Sequence, residues 1–107
     1  MRERRQNKLS DQMRDLVAKY LETESDRSAV ITITRVELLH EGKLARCYIS
    51  VFPPESEKVA LGFAERRASD MRAFAARETK TRFVPEFEFV PDQGEKNRQR
   101  IDELLRR

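Results

Sequence analysis

The strongest potential for chemistry in this sequence lies in its arginines, because a guanidinium group binds phosphate in bidentate fashion and stacks on nucleobases. Residues 63–82 hold six basic residues, five of them arginine, against three acidic ones, and residues 1–8 hold four basic residues against one acidic residue. These two blocks predict an RNA-binding surface, with a solvated, salt-bridged helix face as the alternative. The candidate RNA-binding residues are Arg4, Arg5, Lys8, Arg66, Arg67, Arg72, Arg77, Lys80 and Arg82.

The residues that could support catalysis are few. His40 is the single histidine and lies in a predicted turn, so a base with partners is missing. Cys47 is the single cysteine and reads as a small buried apolar residue. Glu86 and Glu88 share one strand face, where solvent exposure is the simpler explanation. We therefore predict a protein that is not an enzyme and needs no metal or cofactor.

Length and composition bound the remaining possibilities. The chain has 107 residues, a formal net charge of +3 and a pI of about 9.3, which suits one small domain with a mild preference for anionic partners. Its apolar stretches are shorter than a membrane span, and the basic N-terminus is not followed by a signal-type apolar segment. We expect a cytoplasmic protein without a membrane partner.

Hydrophobic periodicity predicts the first half of the fold. Apolar residues recur at helical spacing over residues 9–21. Two segments rich in β-branched residues, 29–39 and 44–52, flank a turn at 40–43 and predict an antiparallel hairpin. The apolar positions change from odd to even within the first strand, which predicts a β-bulge near Thr34–Arg35.

Alternation of apolar residues over 44–52 predicts that one face of the second strand carries small and β-branched residues, including Cys47 and Ile49. Tyr48 and Phe52 fall on the opposite face. There they are either exposed aromatics available for stacking or half-buried packing residues.

Residues 55–80 are helical by spacing, but serine and aspartate in the middle favour helix starts over helix interiors. We expect a break at Ala68-Ser69-Asp70, with a second helix beginning near Met71; one continuous helix is the alternative. A third strand is expected over 83–90, with Pro85 at its start or at a sheet edge.

The element order predicts an α+β domain in which a three-stranded mixed sheet carries its helices on one face. We expect residues 1–92 to form the RNA-binding domain. Residues 93–107 would form a basic tail, either a loosely docked helix or a frayed one, because Ile101, Leu104 and Leu105 are its only apolar residues.

Three segments resemble a known family. Residues 82–92, R-F-V-P-E-F-E-F-V-P-D, resemble the L-R-x-x-P-E-L-x-F-x-x-D signature of the ribosome-binding factor A family, with Thr81 and Phe87 replacing its leucines. Residues 33–37, I-T-R-V-E, are similar to its I-T-x-V-E, and residues 45–51, A-R-C-Y-I-S-V, to its A-K-V-Y-V-S-V. The resemblance covers about residues 4–105.

The resemblance implies a type II KH-like domain (helix, strand, strand, kinked helix, strand) without the GxxG clamp of ordinary KH domains, and this sequence has no GxxG. The family breaks its helix at an Ala-x-Gly kink. Here Asp70 replaces the glycine, so we expect Ser69 or Asp70 to cap the second helix and create the break.

The resemblance also implies a function. Family members bind the immature small ribosomal subunit, assist late maturation and processing of its ribosomal RNA, and matter in cold adaptation. The same is expected here of a monomer whose partners are the precursor subunit and its rRNA, with an assembly GTPase as a further candidate. A generic KH-like RNA-binding module and a structural or dimerising protein without RNA are the competing hypotheses.

Overall fold

The structure is a computed structural model that describes the backbone of residues 2–24, 28–79 and 84–106, and the side chains of these residues except 2–7 and 24. Its elements, in chain order, are α1 (Arg2–Glu24), β1 (Val30–Leu39), β2 (Leu44–Phe52), a 3-10 turn (Pro54–Ser56), α2 (Glu57–Arg66), α3 (Ala68–Thr79), β3 (Glu86–Pro91) and α4 (Gln93–Leu105).

The three strands form one mixed sheet in the order β1-β2-β3. β1 and β2 pair in antiparallel fashion, and β3 lies parallel to β2 because α2 and α3 carry the chain back to the start of β2. Helices α1, α2 and α3 pack on one face of this sheet, so the predicted α+β architecture is confirmed. The opposite face is called the open face below.

The predicted hairpin turn is made by residues with positive φ. His40 and Glu41 have φ of 53° and 57°, and Gly42 follows with 85°. The Gly42 N–H donates to the carbonyl oxygen of Leu39 at 3.1 Å, which closes the turn. Positive φ at both central residues gives the backbone twist that suits two antiparallel strands.

The predicted β-bulge is confirmed at Thr34. Strand pairing runs from Ile33 opposite Ile49 directly to Arg35 opposite Tyr48, which leaves Thr34 without a partner position. The extra residue changes the parity of β1, so that Ile33 before the bulge and Val36 after it both face the core, 7% and 9% exposed.

The core lies between the sheet and its three helices. β2 forms its centre, since every second residue of this strand is buried. The fully buried side chains with the largest volumes come from α1, β2 and α3: Met13, Val17, Leu21, Cys47, Ile49 and Met71. Tyr20 of α1 packs against Phe74 of α3 with ring centroids 5.4 Å apart, which joins two helices on the covered face.

Asp92 links the sheet to α4. Its backbone N–H donates to the carbonyl oxygen of Ile49 at 2.8 Å, and its Oδ1 caps α4 by accepting the N–H of Glu95 at 3.0 Å. The hydroxyl of Thr34 donates to Asp92 Oδ2 at 2.5 Å and also lies 3.2 Å from the carbonyl oxygen of Tyr48. The bulge in β1 thus supplies the hydroxyl that holds the cap of α4.

Cys47 gives a probe of the core. Burial raises the pKa of its thiol to about 12, and the nearby negative charge of Glu88 acts in the same direction. The thiolate is the reactive form, so iodoacetamide in mildly alkaline buffer should alkylate Cys47 only after urea unfolds the protein. Mass spectrometry across a urea series measures this; alkylation of the folded protein at the rate of free cysteine contradicts the packing described here.

The Asp92 cap gives a second prediction. The Thr34 hydroxyl and the Glu95 N–H lower the pKa of Asp92, so its ionised form stabilises the fold above the ordinary carboxyl pKa and loses this effect as pH falls through the lowered value. Asp92→Ala should cost about 1 kcal/mol of unfolding free energy and lower the hydrogen-exchange protection of α4.

Two further variants sharpen this test. Asp102→Ala in the same helix is the matched control and should leave protection unchanged, because Asp102 caps no helix start. Thr34→Val should also destabilise the protein, and its effect should be smaller in the Asp92→Ala background. Strictly additive effects of Thr34→Val and Asp92→Ala would show that their hydrogen bond contributes nothing.

Candidate RNA interface

The helix pair that carries the predicted arginines is interrupted at a single residue, Arg67, between α2 and α3. Its φ and ψ are −95° and −2°. The N–H of Arg67 is shared between the carbonyl oxygens of Phe63 and Ala64, at 3.2 and 3.1 Å. The carbonyl oxygen of Arg67 accepts the N–H of Met71 at 2.9 Å, the first hydrogen bond of the next helix. Arg67 therefore ends one helix and begins the other.

The position of this break corrects the sequence prediction. A break was expected at Ala68-Ser69-Asp70, with Ser69 or Asp70 as the cap and Met71 near the helix start. The structure begins α3 at Ala68 and places Ser69 and Asp70 in its first turn, exposed, so the predicted capping role is wrong. A carboxylate in the first turn interacts favourably with the positive end of the helix dipole, so the sequence signal marked a helix start without fixing the cap.

Arg66 and Arg67 line the same groove, which lies between α2 and the beginning of β1. The Arg67 guanidinium carbon lies 5.4 Å from the centroid of the Phe63 ring. The apolar residues along the groove are Ala29, Ile31, Val59, Ala60 and Phe63. One acid, Glu55, also lines the groove, so the two arginines give it an excess of one positive charge. Cations beside an apolar surface suit a polyanion whose bases can be unstacked, which is the chemistry of single-stranded RNA.

The other predicted residues do not join this groove. Arg72 lies towards the opposite end of the sheet, where its Nε donates to the carbonyl oxygen of Val84 at 3.3 Å, beside the hairpin turn. Arg77 is exposed in the last turn of α3, and Lys8 is exposed on α1. The structure therefore brings Arg66 and Arg67 together and separates Arg72 from them.

Four predicted RNA-binding residues cannot be placed. Lys80 and Arg82 lie outside the described residues. Arg4 and Arg5 belong to the backbone of α1, but their side chains lie outside the described part. Their role in RNA binding stays a prediction.

Sequence reasoning missed the interactions on the open face. Arg35 stacks over the ring of Tyr48 at 3.9 Å, and the Tyr48 hydroxyl donates to Glu37 Oε1 at 3.3 Å. Arg46 lies between Glu37 on β1 and Glu88 on β3, with closest N–O distances of 3.8 and 3.5 Å. The pairing of these residues depends on the strand register, which sets Glu37 opposite Arg46 and Arg46 opposite Glu88.

These contacts show which of the two aromatic residues on the open face is exposed and which is packed. Tyr48 is half-buried under an arginine, whereas Phe52 is 71% exposed. Glu86 is exposed and Glu88 is half-exposed beside Arg46, so the predicted solvent-facing position of this pair is confirmed. The charges here are largely balanced, so the open face is a weaker phosphate-binding surface than the arginine groove.

The titratable residues form no metal-binding cluster in the part of the chain that the structure describes. His40 is exposed at the hairpin turn. A tail helix was expected, but sequence reasoning missed its cap, although the signal is local: Asp92 stands three residues before Glu95, the spacing of a helix start with a capping acid.

Comparison with known proteins gives the family. The family model described as Ribosome-binding factor A matches residues 5–105. The chain belongs to the ribosome-binding factor A family. The Ribosome-binding factor A of Thermobifida fusca is 33% identical over 104 residues, an alignment that covers 94% of this chain and 69% of that protein.

Solved structures agree with the ribosome-binding factor A fold. The crystal structure of the Thermus thermophilus protein has a TM-score of 0.73 at 25% identity and covers 80% of this chain and 93% of that one. A homology model of the T. thermophilus protein, fitted into a cryo-EM map of a 30S–RbfA complex, has a TM-score of 0.69 at 24% identity. It covers 82% of this chain and 96% of that one.

The segments that resemble the ribosome-binding factor A motifs contact one another. Thr34 of the first motif bonds to Asp92 of the signature, and Glu37 of the first motif pairs with Arg46 of the second. Arg46 in turn pairs with Glu88 of the signature. These motif residues therefore join the three strands and the start of α4.

No helix among the described residues is long and apolar enough to span a membrane.

The corrected position of Asp70 gives a prediction. Asp70→Ala should remove only an exposed interaction with the helix dipole, so unfolding free energy should fall by about 0.3–1 kcal/mol and helix content should not change. Glu78→Ala, an exposed acid in the last turn of the same helix, is the matched control and should be neutral or slightly stabilising. Far-UV circular dichroism measures the helix content, and a loss of helix content in Asp70→Ala would contradict the exposed, non-capping position of Asp70 described here.

Proposed function

We propose that this member of the ribosome-binding factor A family binds the immature small ribosomal subunit through its RNA and assists late maturation and processing of that RNA. The family supports ribosome binding. The T. thermophilus relative is described in a complex with the 30S particle. We take residues 1–92 as the RNA-binding unit.

One observation carries the proposed RNA contact: Arg66 and Arg67 meet beside the apolar groove at the helix break. Arg66 can bind phosphate while the apolar residues cover the face of an unstacked base. Arg72 and Arg77 lie further along α3, outside this groove, and their contact with RNA stays a prediction.

The proposed mechanism is differential binding. A protein that binds one RNA conformation more tightly shifts the population towards it, and its affinity falls when the mature conformation forms. This mechanism needs rigid positioning of charge and no group that makes or breaks bonds. Release by an assembly GTPase stays a prediction.

The test is co-sedimentation of the full-length protein with precursor small subunits. Arg66→Glu together with Arg67→Glu should abolish co-sedimentation at low salt, because two phosphate contacts become repulsive. Arg66→Glu alone should weaken it and avoids disturbing the Arg67–Phe63 contact. Circular dichroism should show the wild-type fold for both variants.

The matched control makes the same change in net charge on α1. Arg14→Glu together with Lys19→Glu should retain co-sedimentation, since neither residue belongs to the proposed interface. Equal losses of co-sedimentation in both double variants would show that binding depends on net charge and not on the position of Arg66 and Arg67. Absence of the wild-type protein from precursor particles at low salt would overturn the proposed function and favour an RNA module that acts elsewhere.

A further inference from the structure

The groove at the helix break carries opposite charges at its two ends. Glu55 lines it just before α2 begins, and Arg66 and Arg67 line it where α2 ends. The exposed rim of the groove is one ridge, because Glu55, Val59 and Arg66 follow one another at helical spacing. The groove therefore runs from an acid, past an aliphatic side chain, to a cation.

A glycine leaves room for the Arg66 guanidinium on this ridge. Gly62 stands in the interior of α2, where glycine costs stability relative to alanine. Arg66 Nη1 lies 3.3 Å from the position that a Cβ atom on residue 62 would occupy. The guanidinium thus lies back along the helix, towards Glu55. The helical rise separates Gly62 from Glu55 by about 10 Å, which is comparable to the span of one extended nucleotide from its phosphate to its base edge.

The side chains of Glu55 and Arg66 are both available to a ligand. Both are exposed, and neither forms an ion pair or a hydrogen bond within the part of the chain that the structure describes. Glu57, by contrast, pairs with Lys96 at 2.8 Å. The groove encloses about 450 Å³, a volume that suits a small organic group such as a nucleobase.

A carboxylate at one end of the groove discriminates among bases by hydrogen bonding. Its two oxygens accept hydrogen bonds and donate none, so it matches a base edge that presents two adjacent donors. On the Watson–Crick edge only guanine does so, through its N1–H and its exocyclic amino group. Adenine and cytosine place an acceptor beside their amino group, and the N3–H of uracil lies between two carbonyl acceptors. Glu55 is therefore complementary to guanine and repels the acceptors of the other three bases.

We propose that the groove binds one unstacked guanosine of the ribosomal RNA, and that Glu55 is the residue that determines this base specificity; this rests on the proposed function. Arg66 binds the phosphate, Val59 and Phe63 lie against the base, and Glu55 accepts from its Watson–Crick edge. Phosphate contacts position an RNA without reading its sequence, so the arginines alone would bind every base alike. The acid repels phosphate, which fixes the direction of the nucleotide in the groove.

The test measures binding of the full-length protein to short single-stranded uridine oligonucleotides that carry one central guanosine, adenosine, cytidine or inosine. Fluorescence anisotropy at low salt should show about tenfold tighter binding of the guanosine oligonucleotide than of the adenosine, cytidine or unsubstituted ones, as a good bidentate base contact provides. Inosine lacks the exocyclic amino group and should lose most of this preference.

Three variants separate base reading from charge. Glu55→Gln keeps the shape of the side chain but replaces one acceptor with a donor, so the preference for guanosine should disappear while circular dichroism shows the wild-type fold. Glu65→Gln makes the same change in net charge at an exposed position of α2 outside the groove; it is the matched control and should keep the preference. Arg66→Gln should weaken the binding of all oligonucleotides by a similar factor, because it removes a phosphate contact.

Three results would overturn the inference. Equal affinity of the wild type for all oligonucleotides would show that the groove does not read the base. A preference that survives in Glu55→Gln would assign the reading to another residue, and equally tighter binding of every oligonucleotide by that variant would reduce Glu55 to repulsion of phosphate. Each result leaves the proposed function intact, whereas absence of the wild type from precursor particles in the co-sedimentation experiment overturns the function and the inference together.

Discussion

The β-bulge at Thr34 is the constraint on which this structure depends. A strand presents alternate residues to opposite faces, so a strand without the bulge could bury only one of its two apolar halves. The extra residue allows Ile33 and Val36 to pack on the same helices. Thr34 itself has no partner residue on β2. Its hydroxyl instead donates to Asp92, which caps the start of α4.

The two sides of the sheet therefore differ in how their charged residues are arranged. The helix side carries the arginine groove at Arg66 and Arg67, where charge is concentrated beside apolar surface. The charged residues of the open face instead contact one another, through the Arg35–Tyr48 stack and the ion pairs of Arg46. A polyanion is therefore expected to approach the helix side.

Much of this fold could be predicted because its signals are local. The parity change in β1 located the bulge, and the turn at 40–43 located the hairpin. The helix break was harder, because the buried residues Ala60, Ala64, Met71 and Ala75 would also share one face of a continuous helix. Periodicity therefore carries no signal for a break, and arginine is a good helix former at the residue where the break occurs.

The site was predicted by residue type and only partly by position. Arg66 and Arg67 are neighbours in sequence and remain neighbours in the groove, whereas Arg72 lies elsewhere and donates to the carbonyl oxygen of Val84. The position of α4 could not be predicted, because the contacts that hold its start, such as the Thr34–Asp92 hydrogen bond, join residues far apart in the chain.

Ultraviolet cross-linking of the full-length protein to precursor small subunits, with mass spectrometry of the RNA-linked peptides, tests the central claim most directly. The account predicts that the linked peptides come from residues 57–79, around the break at Arg67. Cross-links confined to the open face around Tyr48 would contradict it, because they would place the RNA on the side of the sheet opposite the arginine groove.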